Sequence, residues 1–191
     1  MAKKLEGAGL RGQVAGQTSL STVGKEGHGL TYRGYAIEDL AEKANFEEVA
    51  FLLLYGQLPN KTELATYQKK LISNRKLPDE LKKTLELIPA SAHPMDVMRT
   101  GCSVLGNVEP EGDFSNQNDI ADRILAILPS IICYWYRFSH DGLSVDTETS
   151  HETIGGQFLS LLTGKEPSED HIRCLDTSLI LYAEHGFNAS T

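Results

Sequence analysis

The chain has 191 residues, of which 40% are hydrophobic and 23% charged, a composition typical of a folded globular protein. Its 18 Lys and Arg against 26 Asp and Glu give a formal charge of -8, and the small basic spot at Lys69 and Lys70 does not form the stripe typical of nucleic-acid-binding proteins. The longest apolar run, residues 124–136, is shorter than the roughly 20 residues that a membrane span requires. We therefore expect no nucleic-acid partner and no membrane insertion.

The first predicted element is a β-hairpin. Two short runs of β-favouring residues, 19–23 and 30–32, flank a glycine-rich, charged turn. From Ala36 onward the apolar residues follow helical spacing, which predicts an amphipathic helix with one buried stripe. That stripe consists of Ile37, Leu40, Ala41 and Ala44.

Seven more helices are predicted along the rest of the chain, because apolar periodicity recurs between residues that begin or end helices. These boundary residues are Gly56, Asn60, Pro78, Pro94, Gly164 and Ser168. In the helix after Pro94, we expect Met95, Met98, Cys102 and Leu105 on the buried face. The polar stretches 108–119 and 142–153 are predicted loops. The sequence thus predicts an all-α protein with one small hairpin.

The cysteines and the N-terminus bear on the cellular compartment. Cys102, Cys133 and Cys174 lie far apart, with no CxxC motif and no histidine at metal-ligand spacing, so they are predicted to be buried, reduced thiols. No metal site is expected. The N-terminus lacks the apolar segment of a secretory signal and the composition of a transit peptide. A cytoplasmic location is therefore predicted.

The last predicted helix carries the strongest functional signal. A stripe at helical spacing is predicted to be buried, so that His185 emerges where the helix ends. The stripe consists of His171, Leu175, Ser178, Tyr182 and His185. Gly186, Asn188 and Ser190 add backbone freedom and short hydrogen-bonding side chains. Buried polar groups need partners, so either the rest of the protein satisfies them or a polar ligand does.

Five other residues favour structural interpretations. Gly155 and Gly156 head a helix, and close helix packing is a simpler interpretation than an anion site because no cluster of cations or hydroxyls lies near them in sequence. His93 is interpreted as a helix cap. His140 and His151 lie in polar surroundings and are expected to be solvated.

Three long segments, residues 18–59, 93–106 and 181–191, resemble the citrate synthase superfamily. The segment "YWYRFSHDG", residues 134–142, is similar to the bacterial 2-methylcitrate synthases within it. The resemblance implies a multi-helical enzyme that acts as a homodimer and condenses an acyl-CoA with oxaloacetate. In the 2-methylcitrate branch, the acyl group is propionyl and the product serves propionate breakdown. The acyl-CoA is a substrate, so no cofactor is expected.

The resemblance also implies which part of the enzyme is present. The enolate-side histidine, the later histidine and aspartate partners, and the arginines that hold oxaloacetate have no counterpart here. Residues 1–191 are therefore expected to form the N-terminal portion of the large helical domain, without the remainder of that domain and without the small domain. No catalytic residue is expected in this chain, and the isolated chain is expected to be inactive.

The resemblance assigns site residues one by one. His185 matches a histidine that hydrogen-bonds oxaloacetate, and Asn188 matches the asparagine beside it. Ser190 matches the residue that orients the enolate-side histidine. Lys70 is interpreted either as an oxaloacetate ligand or as a solvated helix lysine, and Arg33 matches a structural landmark of the family.

Three hypotheses about function remain open. The first is synthesis of 2-methylcitrate from propionyl-CoA and oxaloacetate. The second is a citrate synthase that uses acetyl-CoA, because one methylene in an apolar pocket is worth only about 1–3 kcal/mol of discrimination. The third is a non-catalytic helical interaction module descended from the enzyme.

Overall fold

The computed structural model describes residues 16–22, 29–184 and 186. The described residues form three short strands, eight α-helices and a 3-10 helix at Phe114–Asn116. The strands are β1 (Ser21–Thr22), β2 (Thr31–Tyr32) and β3 (Tyr35–Ala36). The helices are α1 (Ile37–Lys43), α2 (Phe46–Tyr55), α3 (Lys61–Ser73), α4 (Asp79–Glu86), α5 (Pro94–Val108), α6 (Gln117–Asp141), α7 (Ile154–Thr163) and α8 (Glu169–Tyr182). The structure is 64% helical, which confirms the predicted all-α class.

The predicted hairpin is instead a sheet of three antiparallel strands. Ser21 pairs with Tyr32 between β1 and β2, and Tyr32 pairs with Tyr35 between β2 and β3. The turn into β3 needs left-handed backbone at both central residues, and Arg33 and Gly34 have φ angles of 49° and 91°. The sequence pattern merges this third strand with the start of α1, because the two elements follow each other directly.

Helix ends follow the predicted capping chemistry. Asn60 forms a capping box with Glu63 at the start of α3, and Gly56 ends α2 in the left-handed conformation, with a φ of 93°. His93 Nδ1 accepts a hydrogen bond from the Met95 amide at 3.2 Å, which confirms its interpretation as a cap. Ser168 caps α8 in the same way.

Two apolar clusters form the core, and α6 contributes to both. The first cluster joins the sheet, α1, α2 and α3 to α7 and α8, and it includes Ala126 of α6. The second joins α4 and α5 to α6 through Ile127, Ile131 and Trp135. Helix α6 therefore lies between the half of the fold that holds the end of α8 and the half formed by α4 and α5.

The predicted buried face of α5 is confirmed for Leu105 and is wrong for Met95, Met98 and Cys102. Val97, Gly101 and Leu105 are buried, whereas Met95 is 63% exposed and Met98 and Cys102 are only partly covered. The cause is Gly101, because a Cβ built there would lie 2.6 Å from Ile131 Cγ2. The missing side chain lets α5 approach α6 closely on that face.

The predicted buried stripe of α8 is wrong for His171, Ser178 and Tyr182, whereas Leu175 is partly buried and His185 lies outside the described residues. Tyr182 is 87% exposed, His171 and Ser178 are exposed, and the buried residues are Asp176 and Ile180. Both carboxylate oxygens of Asp176 accept from the Phe46 amide at 3.1 Å. Because Asp176 serves as the partner of an otherwise unsatisfied N–H at the start of α2, the helix turns this face inward.

Gly155 confirms the prediction of close helix packing. A Cβ at that position would lie 3.6 Å from the Ile172 carbonyl oxygen of α8. Gly156, by contrast, faces the ring of His151, whose Nδ1 would lie 3.3 Å from an added Cβ.

The prediction of a solvated His151 is wrong, because its ring is mostly covered and its Nε2 lies 3.4 Å from Glu166.

The three cysteines are free thiols in different surroundings. Cys133 is buried, Cys102 is partly covered and Cys174 is exposed, so the predicted burial holds for Cys133 alone.

Among residues 16–22, 29–184 and 186, no helix is long and apolar enough to cross a membrane. The same ranges contain no group of His, Cys, Asp and Glu side chains that could hold a metal ion.

Candidate functional site

The end of α8 is joined to the small sheet through Tyr32. This side chain is fully buried, and its hydroxyl lies 3.0 Å from the Ile180 carbonyl oxygen, 3.3 Å from that of Leu181 and 3.2 Å from that of Glu184. The hydroxyl also accepts from the Glu184 amide at 3.3 Å. The last carbonyls of a helix have no partners within the helix, so Tyr32 supplies one donor where several acceptors converge.

The Glu184 carboxylate makes a second link. Its Oε1 accepts from the Ser21 hydroxyl at 3.4 Å and from the Gly186 amide at 2.5 Å. Gly186 has a φ of 83°, a left-handed conformation that favours glycine. We call Ser21, Tyr32 and Glu184 the C-terminal clamp, because together they fix the backbone on both sides of position 185.

The chemistry of the clamp keeps Tyr32 protonated. Burial raises the pKa of its hydroxyl above the ordinary value of 10.0, and the negative charge of Glu184 adds to the rise against an opposing backbone hydrogen bond. The hydroxyl is therefore a donor at neutral pH. Its partners are backbone groups, so the clamp positions the chain and does not itself offer a reactive group.

The predicted oxaloacetate ligands follow directly after the clamp. His185 and Asn188 lie outside the described residues, as does Ser190, so their roles stay predictions. Their chain neighbours Glu184 and Gly186 are described, and the Gly186 amide donates to the Glu184 carboxylate just after the end of α8. The structure thus places Glu184 at the junction between the end of α8 and the sheet.

Lys70 lies in a different cluster. Its Nζ is 2.6 Å from Asp119 Oδ1 and 2.6 Å from Asp122 Oδ2. Asp122 is fully buried on α6 and also accepts from the hydroxyls of Tyr55 and Tyr67. Lys70, Asp122, Tyr55 and Tyr67 form what we call the Asp122 cluster, which ties α2 and α3 to α6.

The electrostatics of the Asp122 cluster favour a cationic Lys70. Desolvation works against the ammonium, but hydrogen bonds to Asp119 and Asp122 outweigh it and raise the pKa of Lys70 above its ordinary value. Burial, followed by the hydrogen bond that the hydroxyl donates to Asp122 and then by the charge of Asp122, raises the pKa of Tyr55 to about 12. Both hydrogen bonds of Lys70 go to carboxylates of the protein, which favours a structural interpretation of this lysine. No hydrogen bond between described residues joins the Asp122 cluster to the C-terminal clamp. The role of Lys70 as an oxaloacetate ligand stays a prediction.

Comparison with known proteins decides the family. Residues 9–191 match the family model described as "Citrate synthase, C-terminal domain". The chain belongs to the citrate synthase family. The resemblance inferred from the sequence segments is therefore confirmed.

Individual citrate synthase family members are similar over the whole chain. The chain is 67% identical over 190 residues to the 2-methylcitrate synthase of Shewanella oneidensis, covering 100% of this chain and 51% of that relative. It is 39% identical over 191 residues to 2-methylcitrate synthase 1 of Corynebacterium glutamicum, covering 96% of this chain and 50% of the relative. The chain thus spans about half the length of the curated relatives it matches.

A solved citrate synthase shares the fold. The enzyme from Pyrobaculum aerophilum is 32% identical, with a TM-score of 0.83 over 95% of this chain and 48% of that one. This likeness confirms the predicted citrate synthase-like helical architecture. The part of the longer relatives to which the chain corresponds stays a prediction.

In this citrate synthase family member, an apolar groove of about 470 Å³ runs beside the clamp. Its lining includes Leu20, Phe46, Leu125, Ala183 and Glu184. A second groove, of about 330 Å³, continues from it along α6, because the two share Phe46 and Leu125. The end of α8 therefore borders an apolar surface, which lowers the local dielectric around polar groups placed there.

A further buried polar centre surrounds the start of α7. Glu47 is fully buried, and its Oε1 accepts from the Ile154 amide at 2.7 Å. Burial raises the pKa of Glu47 to about 7, although the Ile154 hydrogen bond opposes the shift. Arg75 is also buried and donates to the carbonyls of Thr149 and His151 at 3.0 Å and 2.6 Å. Burial lowers the pKa of Arg75 to about 10.

No local sequence pattern identifies Tyr32, Glu47 or Arg75 as residues with buried polar partners. Tyr32 and Ile180 are 148 positions apart, and no local pattern connects them. Glu47 belongs to the acidic first turn of α2, a position that ordinarily predicts exposure. The "YRGY" segment is a local signal for part of this arrangement. Its Arg33–Gly34 turn pairs Tyr32 with Tyr35, and this pairing sets which face of the sheet each side chain occupies.

Proposed function

We propose that the protein, at its natural length, condenses propionyl-CoA with oxaloacetate and water to give 2-methylcitrate and CoA. The observation that carries this proposal is the 67% identity over 190 residues to a protein named 2-methylcitrate synthase. The Corynebacterium relative carries the same activity in its name. Propionyl-CoA and oxaloacetate are then the two substrates, and no cofactor is required.

The proposed reaction forms one carbon–carbon bond and breaks one thioester. A base removes a proton from the carbon next to the thioester carbonyl, and the resulting enolate attacks the ketone carbon of oxaloacetate. Water then hydrolyses the thioester and releases CoA. The carbon acid is weak, so the site must supply both a base and a donor to the enolate oxygen. We assign neither of these groups to this chain, so the isolated chain is proposed to be inactive.

The proposed contribution of this chain is to hold oxaloacetate. The imidazole of His185 and the amide of Asn188 are hydrogen-bond donors suited to the oxygens of this dicarboxylate. Ser190 is proposed to orient the enolate-side histidine. The C-terminal clamp supports this assignment, because it fixes the chain immediately before these residues.

Two further properties belong to the proposal. The natural-length protein is proposed to act as a homodimer in the cytoplasm, as the family resemblance implies. Acetyl-CoA is the alternative acyl donor. The Pyrobaculum citrate synthase, with its TM-score of 0.83, supports that alternative, and the loss of one methylene changes binding by only about 1–3 kcal/mol.

Release of CoA tests the function and separates the alternatives. The natural-length protein is mixed with oxaloacetate and either propionyl-CoA or acetyl-CoA, and free thiol is measured over time. We expect oxaloacetate-dependent release with a higher kcat/KM for propionyl-CoA, and mass spectrometry should identify 2-methylcitrate. A higher kcat/KM for acetyl-CoA would indicate a citrate synthase, whereas no release from either would favour the non-catalytic module.

A further inference from the structure

We infer that Tyr32 is a positioning residue for oxaloacetate, acting through its hydroxyl on the backbone that leads into His185 and Asn188. This inference rests on the proposed function, and it concerns a residue in β2, far from the binding segment in sequence. It adds a specific dependence: oxaloacetate affinity should respond to a single oxygen atom buried beneath the end of α8.

The first support is the convergence of backbone groups on this atom. Three carbonyl oxygens, those of Ile180, Leu181 and Glu184, lie within 3.0–3.3 Å of the hydroxyl, and the Glu184 amide donates to it. A tyrosine hydroxyl offers one proton and can accept as well. Removing it would leave the Glu184 amide and the terminal carbonyls of α8 without this partner in buried surroundings, which favours a shift of the backbone.

The second support is the rigidity of the element that carries Tyr32. Its ring is part of the first apolar cluster, and its backbone pairs with both Ser21 and Tyr35 in the sheet. The hydroxyl is therefore held at a fixed point. Ser21 on the neighbouring strand reaches the Glu184 carboxylate, so two strands hold the same turn of chain.

Loss of the Tyr32 hydroxyl should weaken the binding of oxaloacetate more than the binding of the acyl-CoA. A displacement of about 1 Å at a binding group is enough to cost up to a hundredfold in rate or affinity. In Tyr32→Phe, the ring still fills its place in the core and only the hydroxyl is lost. We expect KM for oxaloacetate to rise about tenfold, with KM for propionyl-CoA little changed.

Tyr134→Phe is the matched control. Tyr134 is also buried, and its hydroxyl bonds to Glu86 at 2.7 Å and Ser144 at 2.9 Å in the other apolar cluster. This variant loses the same atom from a tyrosine that does not contact the end of α8. Both variants should lower the melting temperature, but only Tyr32→Phe should raise KM for oxaloacetate.

Glu184 gives a second, independent test. Glu184→Gln keeps an oxygen that accepts from Ser21 and Gly186, whereas Glu184→Ala removes it. We expect a larger rise in KM for oxaloacetate in the alanine variant than in the glutamine variant. If Tyr32→Phe fails to fold, this pair tests whether the turn that Tyr32 also holds positions oxaloacetate, and equal KM values for oxaloacetate in the two variants would overturn that role.

The experiment is steady-state kinetics of CoA release by the natural-length protein and these variants, together with melting temperatures. If the unsubstituted protein releases no CoA, the proposed function fails and the positioning role falls with it. If that protein is active but Tyr32→Phe retains the same KM for oxaloacetate, only the positioning role is overturned. An equal rise of both KM values would likewise overturn it, because it would indicate general damage to the fold.

Discussion

The amide nitrogen of Ile154 lies 2.7 Å from Oε1 of Glu47, so a buried carboxylate of α2 stands at the first turn of α7. The start of α2 is served in the same way, since Asp176 of α8 accepts from the Phe46 amide. Each of these helices thus begins against a carboxylate from another helix. This arrangement gives the orphan N–H groups carboxyl oxygens as acceptors.

The buried Glu47 predicts a pH-dependent stability. Its pKa is about 7 in the folded state against an ordinary value of 4.5, so the folded state binds this proton more tightly than the unfolded state does. The contribution of Glu47 to the free energy of unfolding is most favourable below pH 4.5 and is lost as the pH rises from 4.5 to about 7. The loss is on the order of 3 kcal/mol.

Glu47→Gln tests this prediction because it keeps an acceptor for Ile154 but does not ionise. Melting temperatures of the natural-length protein should fall between about pH 5 and about pH 8 by less in this variant than in the unsubstituted protein. Glu38→Gln, at an exposed position of α1, serves as the control and should change nothing. Identical pH profiles for the unsubstituted protein and Glu47→Gln would show that Glu47 is ionised throughout.

Lys70→Met separates a role for this lysine as an oxaloacetate ligand from a role in the Asp122 cluster. If Lys70 serves the Asp122 cluster, its loss leaves a fully buried carboxylate with only tyrosine hydroxyls and costs roughly 1–3 kcal/mol, a value reduced by the partial exposure of Lys70. We expect a lower melting temperature with an unchanged KM for oxaloacetate. Lys69→Met, at the exposed neighbouring position, should alter neither quantity. A raised KM in Lys70→Met would instead support Lys70 as an oxaloacetate ligand.

Gly101→Ala should destabilise the contact between α5 and α6. The new Cβ would meet the buried Ile131 at 2.6 Å, and overpacking of this kind costs typically about 1–3 kcal/mol, more than the gain in helix propensity. Gly106→Ala lies on the same helix with open space around it, so it should gain stability by about 0.5–1 kcal/mol. Thermal unfolding of both variants measures the contrast. A stabilised Gly101→Ala would mean that Ile131 moves aside at little cost.

Helix positions could be predicted from the sequence because their signals are local. Asn60 and Ser168 start helices by accepting from backbone amides within the next few residues, and Gly56 and Gly164 end them with left-handed backbone. These signals depend only on near neighbours in the chain. The third strand was missed for the opposite reason, since only its pairing with β2 defines it.

The buried face of a helix was harder to predict, because α8 carries apolar residues on several of its faces. Leu175, Leu179, Ile180 and Leu181 point in several directions, so more than one stripe fits the same periodicity. The true inward face contains Asp176, which a hydrophobic criterion assigns to solvent. Its burial depends on the start of α2, a partner 130 positions away.

Part of the candidate site could be predicted from the sequence and part could not. His185 and Asn188 could be assigned from the sequence because a continuous segment carries the family resemblance. The clamp could not, because Tyr32 and Ser21 meet Glu184 only after the sheet and α8 have come together. Charged groups such as Glu47, Arg75 and Asp122 follow the same rule, since their burial depends on distant partners.

Calorimetric titration of oxaloacetate into the natural-length protein and into its His185→Ala variant addresses the assignment on which the proposed chemistry depends. A hydrogen bond to a charged ligand is worth about 1.5–3 kcal/mol, so we expect the variant to bind oxaloacetate at least about tenfold more weakly while binding propionyl-CoA as before. Equal affinity of the two proteins for oxaloacetate would contradict the assignment of the binding segment to the residues that follow α8.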